Sequence, residues 1–239
     1  MNIAVIPARG GSKRIPRKNI KEFFGKPMIA YAITAAKETG VFDHIIVSTD
    51  DEEIAQIANQ WGAETPFVRP FELANDYTAT VPVIGHAIEA CRALGWKFDN
   101  VCCIYPCVPF IRIDELIGAL GRLAESKADY CFPVTEYPSA IQRALKLLSD
   151  GKTQPFYPEF ERRRTQDLEP AYYDVGQFYW GKADAWLSNP NIYSSGLGYT
   201  IPNSRVVDID TLDDWLRAEL IYQSVTTMQQ FKIGNYNDI

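Results

Sequence analysis

The feature that most constrains this chain is a repeated alternation of short apolar segments with longer segments whose apolar residues recur at helical spacing. The first apolar segment, NIAVIP at residues 2–7, is short and ends at a proline, as buried parallel strands often do. A helical segment then begins near Pro27 and ends at Gly40. The same alternation predicts a helix over 113–124 and further strands over 44–48, 63–68, 100–105, 129–134, 174–180 and 205–210.

Such an alternation predicts an α/β fold, with a Rossmann-like, mostly parallel sheet and helices on both faces. In these sheets ligands bind beyond the carboxyl ends of the strands. The alternation breaks over residues 136–170, which are rich in proline, aromatic residues and arginine. Because a connection of that length is unusual, we predict a single domain over residues 1–226, with 136–170 as an inserted lid or dimerisation arm. The polar residues 227–239 are predicted to fray.

The distribution of charge separates two classes of binding partner. The 239 residues carry a formal net charge of −6, which argues against a general nucleic-acid binder. The cations are nevertheless concentrated, with six of the 24 Lys and Arg residues between positions 9 and 21 and three more at 162–164. This pattern fits either a site for a small polyanion or a charged loop in solvent, and composition alone leaves both readings open.

The cysteine and histidine counts bear on metal chemistry and cellular compartment. The chain has five cysteines and two histidines, with no CxxC pair and matching ligands elsewhere, which argues against a structural zinc site. An odd number of cysteines is expected to be reduced and buried, as in a cytoplasmic protein. No apolar run approaches the roughly 20 residues needed to span a bilayer, and the N-terminal residues lack the pattern of a signal peptide.

A glycine pair follows the first predicted strand, in the stretch Arg9-Gly10-Gly11-Ser12-Lys13. Two glycines let the backbone turn tightly and approach a ligand closely. Backbone N–H groups exposed in such a turn, with cations beside them, form an anion site. The stretch is neither a P-loop nor a GxGxxG fingerprint, and an ordinary turn is the alternative.

A pair of aspartates lies in the stretch VDIDT at residues 207–211. In an extended chain Asp208 and Asp210 point to the same side, two residues apart. Two such carboxylates repel each other unless a cation lies between them, and hard oxygen ligands suit Mg²⁺ together with substrate phosphates. The alternative is a helix N-cap, which accounts for Thr211 or Asp210 but not for both aspartates.

The longer stretch IAVIPARGGSKRIPRKNI resembles the N-terminal signature of the CMP-sialic acid synthetase family, the cytidylyltransferases that activate nonulosonic acids. In that family this loop wraps around the triphosphate of CTP. The resemblance implies that the CTP phosphates are contacted by Arg9, Gly10, Gly11 and Ser12. Lys18 and Asn19 match the family's Lys-Asn pair, which places Lys18 against the phosphates.

Two more stretches are similar to the same family. Arg69-Pro70, with the following Leu73, Ala74, Asp76 and Thr78, matches an RPxxLAxDxT pattern and implies that Arg69 binds the nucleotide. Taken alone, Arg69 reads as a surface residue. The VDIDT stretch matches the positions that chelate Mg²⁺ in the family, so the resemblance implies that Asp208 and Asp210 bind Mg²⁺ or another divalent metal such as Mn²⁺.

Residues 164–183, RTQDLEPAYYDVGQFYWGKA, resemble the family's sugar-binding region, and the TQDL element is most similar to members acting on pseudaminic acid. The resemblance implies sugar contacts by Arg164 and Gln166, and packing of Phe178 and Tyr179 against apolar substituents. An equally weighted reading places Phe178 and Tyr179 in the sheet core. A departure supports a sugar other than sialic acid: residues 105–111, YPCVPFI, replace the family's QPTSPLR-like stretch.

Together these similarities imply an enzyme that joins a nonulosonic acid to CMP, using CTP and releasing pyrophosphate, for bacterial surface glycans or flagellin glycosylation. Lys18, Arg9 and the metal held by Asp208 and Asp210 would stabilise the charge on the leaving phosphates. The family uses its irregular arm at a subunit interface, which implies a homodimer. The alternatives are an enzyme specific for N-acetylneuraminic or legionaminic acid, a metal-dependent glycosyltransferase, and a nucleotide-sensing module without catalysis. The sequence identifies no general base.

Overall fold

The computed structural model describes the backbone of residues 1–234 and the side chains of residues 1–225 and 227. The helices are α1 Met28–Thr39, α2 Glu52–Trp61, α3 Thr80–Ala93, α4 Ile113–Ala124, α5 Ala183–Ser188 and α6 Leu212–Gly234. The strands are β1 Asn2–Pro7, β2 Glu22–Phe23, β3 Lys26–Pro27, β4 His44–Ser48, β5 Asn100–Ile104, β6 Tyr130–Glu136, β7 Leu145–Leu147, β8 Thr153–Pro155, β9 Tyr172–Asp174, β10 Phe178–Lys182 and β11 Gly196–Thr200. Among the described residues, no helix combines the length and the apolar character that a membrane span requires.

Seven strands form one central sheet with the order β11-β6-β10-β5-β1-β4, and β9 also pairs with β6. β1 runs parallel to β4 and β5, and β11 runs parallel to β6. β10 lies antiparallel between β5 and β6. The chain leaves β6 at the carboxyl edge of the sheet and returns at the same edge, so the strand that follows must run in the opposite direction. Apart from β9 and β10, the strands of the central sheet run in one direction, and the predicted mostly parallel sheet is confirmed.

Both faces of the sheet are covered by helices, as predicted. Alternate residues of β1 serve the two faces: Ile6 packs with α1, α2 and α4, whereas Val5 packs with α3 and α5. Burial of each such aliphatic side chain stabilises the fold by about 1.5–3 kcal/mol. The alternation along β1 thus divides its side chains between the two faces, and the direction of β1, parallel to β4 and β5, brings the loop beginning at Ala8 to the carboxyl edge of the sheet.

Three of the predicted strands differ in the structure. Residues 63–68 contribute one parallel bridge, between Glu64 and Ile46, instead of a strand. The segment predicted over 174–180 is divided between β9 and β10. The prediction of a strand over 205–210 is wrong: Arg205 ends a 3₁₀ turn, and residues 206–210 pair with no strand, because Val207 and Ile209 pack onto side chains instead.

This C-terminal segment is held by an aromatic and aliphatic cluster. Val207 and Ile209 are buried with Ile15, Phe23 and Trp215, which joins α6 to the loop after β1 and to the β2–β3 hairpin. Helix α6 starts with a reciprocal cap, in which the backbone N–H of Thr211 donates to Asp214 Oδ2 at 2.7 Å and that of Asp214 donates to Thr211 Oγ1 at 3.2 Å. The segment carrying the two aspartates is therefore fixed at both ends.

Of residues 136–170, Glu136 still ends β6, and the chain after it leaves the sheet and forms a separate β7–β8 hairpin with short 3₁₀ turns before and after it. Their role as a lid or dimerisation arm stays a prediction, as do the domain limits. The predicted frayed tail covers residues 227–239, of which 235–239 lie outside the described residues.

Candidate active site

A cavity of about 400 Å³ opens at the carboxyl edge of the sheet, where the topology places ligands. Its walls come from five parts of the chain: the loop after β1, the segment from Arg69 to α3, the residues after β5, Gly176 between β9 and β10, and the segment 207–210. The predicted site residues that line it are Arg9, Ser12, Lys18, Asn19, Arg69, Asp208 and Asp210. We call it the nucleotide cavity below.

The glycine pair serves two different purposes. A Cβ on Gly10 would lie 2.5 Å from Asp51 Oδ2, so glycine is required for the loop to pack against the start of α2. A Cβ on Gly11 would meet no heavy atom within 4 Å, which leaves that backbone open to a ligand. The Gly10 N–H also donates to Asp50 Oδ1 at 3.0 Å. Close packing explains why residue 10 is a glycine, and a glycine at position 11 is consistent with access for a ligand.

Two cations of this loop already hold a carboxylate. Arg9 hydrogen-bonds Asp76, and Lys13 Nζ lies 2.5 Å from the other oxygen of the same carboxylate. The Lys13 and Arg9 hydrogen bonds lower the pKa of Asp76 below its ordinary value. Asp76 therefore occupies, in the isolated chain, the anion position that a phosphate would compete for.

Lys18 and Asn19 join the loop to the other walls of the cavity. Lys18 Nζ donates to the Ile209 carbonyl at 2.6 Å and lies 3.2 Å from Asp210 Oδ1. Asn19 is buried, and its amide donates to the Arg9 carbonyl at 2.9 Å. Asn19 thus fixes the shape of the loop, while Lys18 supplies a cation beside the predicted metal ligands.

Arg69 is a buried cation with neutral partners. Its Nε donates to Ser48 Oγ at 3.1 Å, and Nη2 hydrogen-bonds the Ser48 carbonyl. Burial lowers the pKa of Arg69 to about 10. Among the described residues Arg69 belongs to none of the ion pairs within 4 Å, and it lines the nucleotide cavity. The sequence pattern alone gave no sign of this burial.

Asp208 and Asp210 point outward from the extended segment into the cavity, while the alternate residues are buried. The carboxyl of Asp208 is partly desolvated there, although the residue as a whole is exposed; this desolvation and the charge of Asp210 raise its pKa. Asp210 pairs with Arg14 at 2.9 Å and with Lys18 at 3.2 Å. The carboxylates of Asp208 and Asp210 repel each other, and such a pair fits a site for a cation.

Two carboxylates, those of Asp208 and Asp210, are the candidate ligands for a metal. Among residues 1–234 no group of three or more His, Cys, Asp and Glu side chains is arranged to hold a metal ion. The Asp208–Asp210 pair alone would leave most of the octahedral shell of Mg²⁺ to water and substrate phosphates, which is how this ion is commonly bound beside nucleotides. The donor set therefore fits a magnesium ion that arrives with the nucleotide.

A second cavity of about 450 Å³ adjoins the first. The two share Ala79, Thr80 and Tyr105. The rest of the second cavity is lined by Val81, Tyr179 and the loop 190–194. Sequence reasoning identified Tyr179 but missed Thr80, Tyr105 and the 190–194 loop. The altered YPCVPFI stretch was the available signal for Tyr105. We call it the acceptor cavity below.

Two tyrosines of the acceptor cavity are held in place by hydrogen bonds to the carboxylate of Asp174. Asp174 Oδ2 accepts hydrogen bonds from Tyr179 at 2.6 Å and from Tyr193 at 2.9 Å. Its other oxygen accepts from the Gly176 N–H at 3.0 Å. Burial raises the pKa of Tyr179 far above its ordinary value, so this hydroxyl stays protonated and continues to donate to Asp174.

The remaining predicted sugar contacts lie elsewhere in the isolated chain. Arg164 and Gln166 are exposed at the 3₁₀ turn Thr165–Asp167, where Arg164 donates twice to Asp167, at 2.9 and 3.1 Å. Phe178 is fully buried in the core with α1, α2 and α4, on the face opposite Tyr179, and lines neither cavity. Only Tyr179 of these four predicted residues lies at the walls described above. Sugar contacts by Arg164 and Gln166 stay predictions.

Comparison with known proteins defines the class. Residues 3–151 match the family model described as cytidylyltransferase, and the chain therefore belongs to the cytidylyltransferase family. It is a nucleotidyltransferase, and the resemblance found in the sequence is confirmed.

Two individual proteins indicate which members of the family this chain is similar to. The chain is 40% identical over 223 residues to the pseudaminic acid cytidylyltransferase of Campylobacter jejuni, covering 93% of this chain and 96% of the relative. It is 31% identical to the CMP-N,N'-diacetyllegionaminic acid synthase of Legionella pneumophila, covering 92% and 96%. A solved structure of CMP:2-keto-3-deoxy-manno-octonic acid synthetase complexed with CTP superimposes with a TM-score of 0.69 at 16% identity, covering 93% of this chain and 98% of that one, and shows the shared fold.

Proposed function

We propose that this chain transfers CMP from CTP to pseudaminic acid and releases pyrophosphate. The observation that carries the proposal is the pairing of two cavities at one sheet edge, one lined by cations and one largely by aromatic and aliphatic residues. The identity of 40% to a pseudaminic acid cytidylyltransferase supports this choice of sugar. Legionaminic and N-acetylneuraminic acids are the competing substrates.

In the proposed reaction the anomeric hydroxyl of the sugar attacks the α-phosphorus of CTP in line, and pyrophosphate leaves. Arg9, Lys18 and Arg69 line the cavity and would neutralise the charge that develops on the leaving phosphates. The open backbone at Gly11 would let the triphosphate lie against the loop. Most of the rate enhancement would then come from positioning and fixed charge.

The proposed role of Asp76 comes before the chemical step, when CTP binds. Its carboxylate holds Arg9 and Lys13, so CTP phosphates must displace it before those cations can bind them. The loop Asn75–Thr78 is exposed or half-buried and lines the cavity, which makes this exchange sterically simple. The exchange replaces the single charge of a carboxylate by the higher charge of a triphosphate, which favours phosphate binding to Arg9 and Lys13.

Asp208 and Asp210 are proposed to hold Mg²⁺, or another divalent ion such as Mn²⁺, which would supply Lewis-acid stabilisation of phosphate oxygens. No histidine is placed to act as the base in either cavity. His44 stacks on Trp96 with ring centres 3.7 Å apart, and His86 packs edge-to-face on Phe67. If Asp210→Asn left turnover unchanged at saturating Mg²⁺, the proposed metal role would be wrong.

A homodimer formed through residues 136–170 is the proposed assembly. The β7–β8 hairpin exposes Leu145 and Leu147, and the residue after it, Phe156, is exposed as well; Leu147 is 78% exposed, and these apolar side chains are suited to a subunit interface. Light scattering of the purified protein tests this: a dimer that becomes a monomer on Leu147→Glu supports the arm as the interface, and a wild-type monomer contradicts it. The five cysteines are all free thiols, which fits the proposed cytoplasmic location.

The function is tested by pyrophosphate release with CTP, Mg²⁺ and separate samples of pseudaminic, legionaminic and N-acetylneuraminic acids. Release with pseudaminic acid at the highest kcat/KM supports the proposal. Preferential release with another sugar keeps the reaction and rejects the assigned substrate. CTP binding without release with any of the three sugars would favour a nucleotide-sensing module.

A further inference from the structure

The junction between the nucleotide and acceptor cavities contains one pair of hydroxyl groups. Of the three shared residues, Ala79 has no polar side-chain atom, so the side-chain polarity there comes from Thr80 and Tyr105. The two hydroxyls lie 2.8 Å apart and are hydrogen-bonded to each other. These residues are 25 positions apart in sequence, and the fold brings them together.

Both hydroxyls are held by regular structure. Thr80 is the first residue of α3, and Tyr105 directly follows β5. The Tyr105 N–H donates to the Gln177 carbonyl at 2.8 Å, and its ring packs against that of Tyr179 with centres 5.5 Å apart. The pair therefore presents its hydrogen-bonding groups in a fixed direction.

The pair has hydrogen-bonding capacity left for a ligand. Two hydroxyls have two hydrogens, and their mutual bond uses one of them. Burial raises the pKa of Tyr105 to about 12, so its oxygen keeps its proton at neutral pH. The Tyr105 hydroxyl also interacts with that of Tyr179, so what the pair keeps for a ligand at the boundary between the cavities is lone pairs on its oxygens, which can accept a hydrogen bond from a substrate hydroxyl.

The location of the pair determines what it can contact. If the α-phosphorus lies in the nucleotide cavity and the sugar in the acceptor cavity, then the oxygen that joins them must pass the shared wall. We infer that the Tyr105–Thr80 hydroxyl pair binds an oxygen substituent on the anomeric carbon of the acceptor and so positions its attacking hydroxyl. This inference rests on the proposed function, and it assigns a specificity-determining role to two residues for the acceptor and not for CTP.

The test uses the full-length protein and removes one hydroxyl at a time. Tyr105→Phe and Thr80→Val keep shape but delete the oxygen, and Thr80→Ser restores a hydroxyl. Tyr31→Phe is a matched control, because the Tyr31 hydroxyl donates to the Phe23 carbonyl at 2.8 Å, outside both cavities. For each protein we would measure KM for pseudaminic acid, KM for CTP, kcat, calorimetric CTP affinity and the melting temperature.

We expect Tyr105→Phe and Thr80→Val each to raise KM for the sugar by about three- to tenfold, the loss of one neutral hydrogen bond. KM and affinity for CTP should change less than about twofold, and Thr80→Ser should stay near wild type. The double variant should be little worse than either single variant, because the two hydroxyls act as a unit. Tyr31→Phe should leave both KM values unchanged.

Unchanged sugar KM in both single variants, with an active wild-type enzyme, would overturn the inference and leave the proposed function intact. Equal changes in the sugar and CTP constants would also overturn it, because the pair would then serve the nucleotide or the fold. A wild-type protein that binds CTP but releases no pyrophosphate with any of the sugars would overturn the proposed function and this inference together.

Discussion

Replacing Arg69 by methionine separates the function of a buried charge from its effect on stability. Arg69 is 4% exposed, and burial lowers its pKa to about 10 from an ordinary value of 12.5. Each unit of such a shift corresponds to about 1.4 kcal/mol, so keeping this guanidinium charged in the fold costs on the order of 3 kcal/mol. Methionine removes that penalty and retains much of the apolar stem.

The substitution also removes the two hydrogen bonds to Ser48. The Ser48 carbonyl keeps the N–H of Ala8 at 2.9 Å, so it does not become unsatisfied. The lost bonds are worth about 1.5–3 kcal/mol each, because the donor is charged. The two effects partly offset each other, and we expect the free energy of unfolding to fall by less than about 3 kcal/mol.

CTP binding should respond very differently. A charge-assisted hydrogen bond to a phosphate is worth about 1.5–3 kcal/mol, so the dissociation constant for CTP should rise about 10- to 150-fold. Urea unfolding measures the stability and isothermal titration calorimetry measures the affinity. A loss of more than about 3 kcal/mol in stability, with unchanged affinity per folded molecule, would refute the assignment of Arg69 as a phosphate-binding residue.

Three further predictions follow from local geometry. Gly10→Ala should lower the melting temperature by several degrees, because its methyl group would clash with the carboxylate that caps α2. Gly11→Ala should leave the melting temperature unchanged and weaken CTP binding, and equal effects of the two variants on the melting temperature would contradict this packing account. Asp208→Asn should abolish pyrophosphate release. Because the raised pKa of Asp208 disfavours its ionised form in the fold, the same change should raise the melting temperature at neutral pH, and this gain should vanish at acid pH, where the native carboxyl is already protonated; a melting curve that falls at neutral pH would oppose it. Trp215→Ala should destabilise the protein by about 3–5 kcal/mol in urea, because the indole is buried in the cluster that anchors α6, and a change below about 1 kcal/mol would show that this anchor is dispensable.

The regular elements could be predicted because their signals are local. The helix predicted over 113–124 is α4 Ile113–Ala124, and NIAVIP is β1, since apolar periodicity and Gly or Pro boundaries depend on neighbouring residues alone. The alternation at 207–210 correctly placed Asp208 and Asp210 on one side. It could not reveal that this segment lacks a pairing partner, because strand pairing depends on distant parts of the chain.

The loop proposed to bind the nucleotide was identifiable from sequence because its residues are consecutive. A glycine pair among cations after a strand indicates an anion site, and the longer pattern gives the family. The reason that Gly10 must be glycine is nonlocal, since the atom that excludes a side chain belongs to Asp51. The burial of Arg69 is nonlocal for the same reason, because its partner Ser48 is 21 residues away.

The sequence by itself determined the fold class, the cytidylyltransferase family and most of the predicted site residues that line the larger cluster of cations at the sheet edge. The tertiary structure decided which sugar-region residues meet a cavity: Phe178 and Tyr179 are adjacent, yet strand alternation directs one into the core and the other to the acceptor cavity. It also decided the pairing of Thr80 with Tyr105. Such contacts arise from the packing of α3, β5 and β10 against one another, and no local pattern of residues encodes that packing.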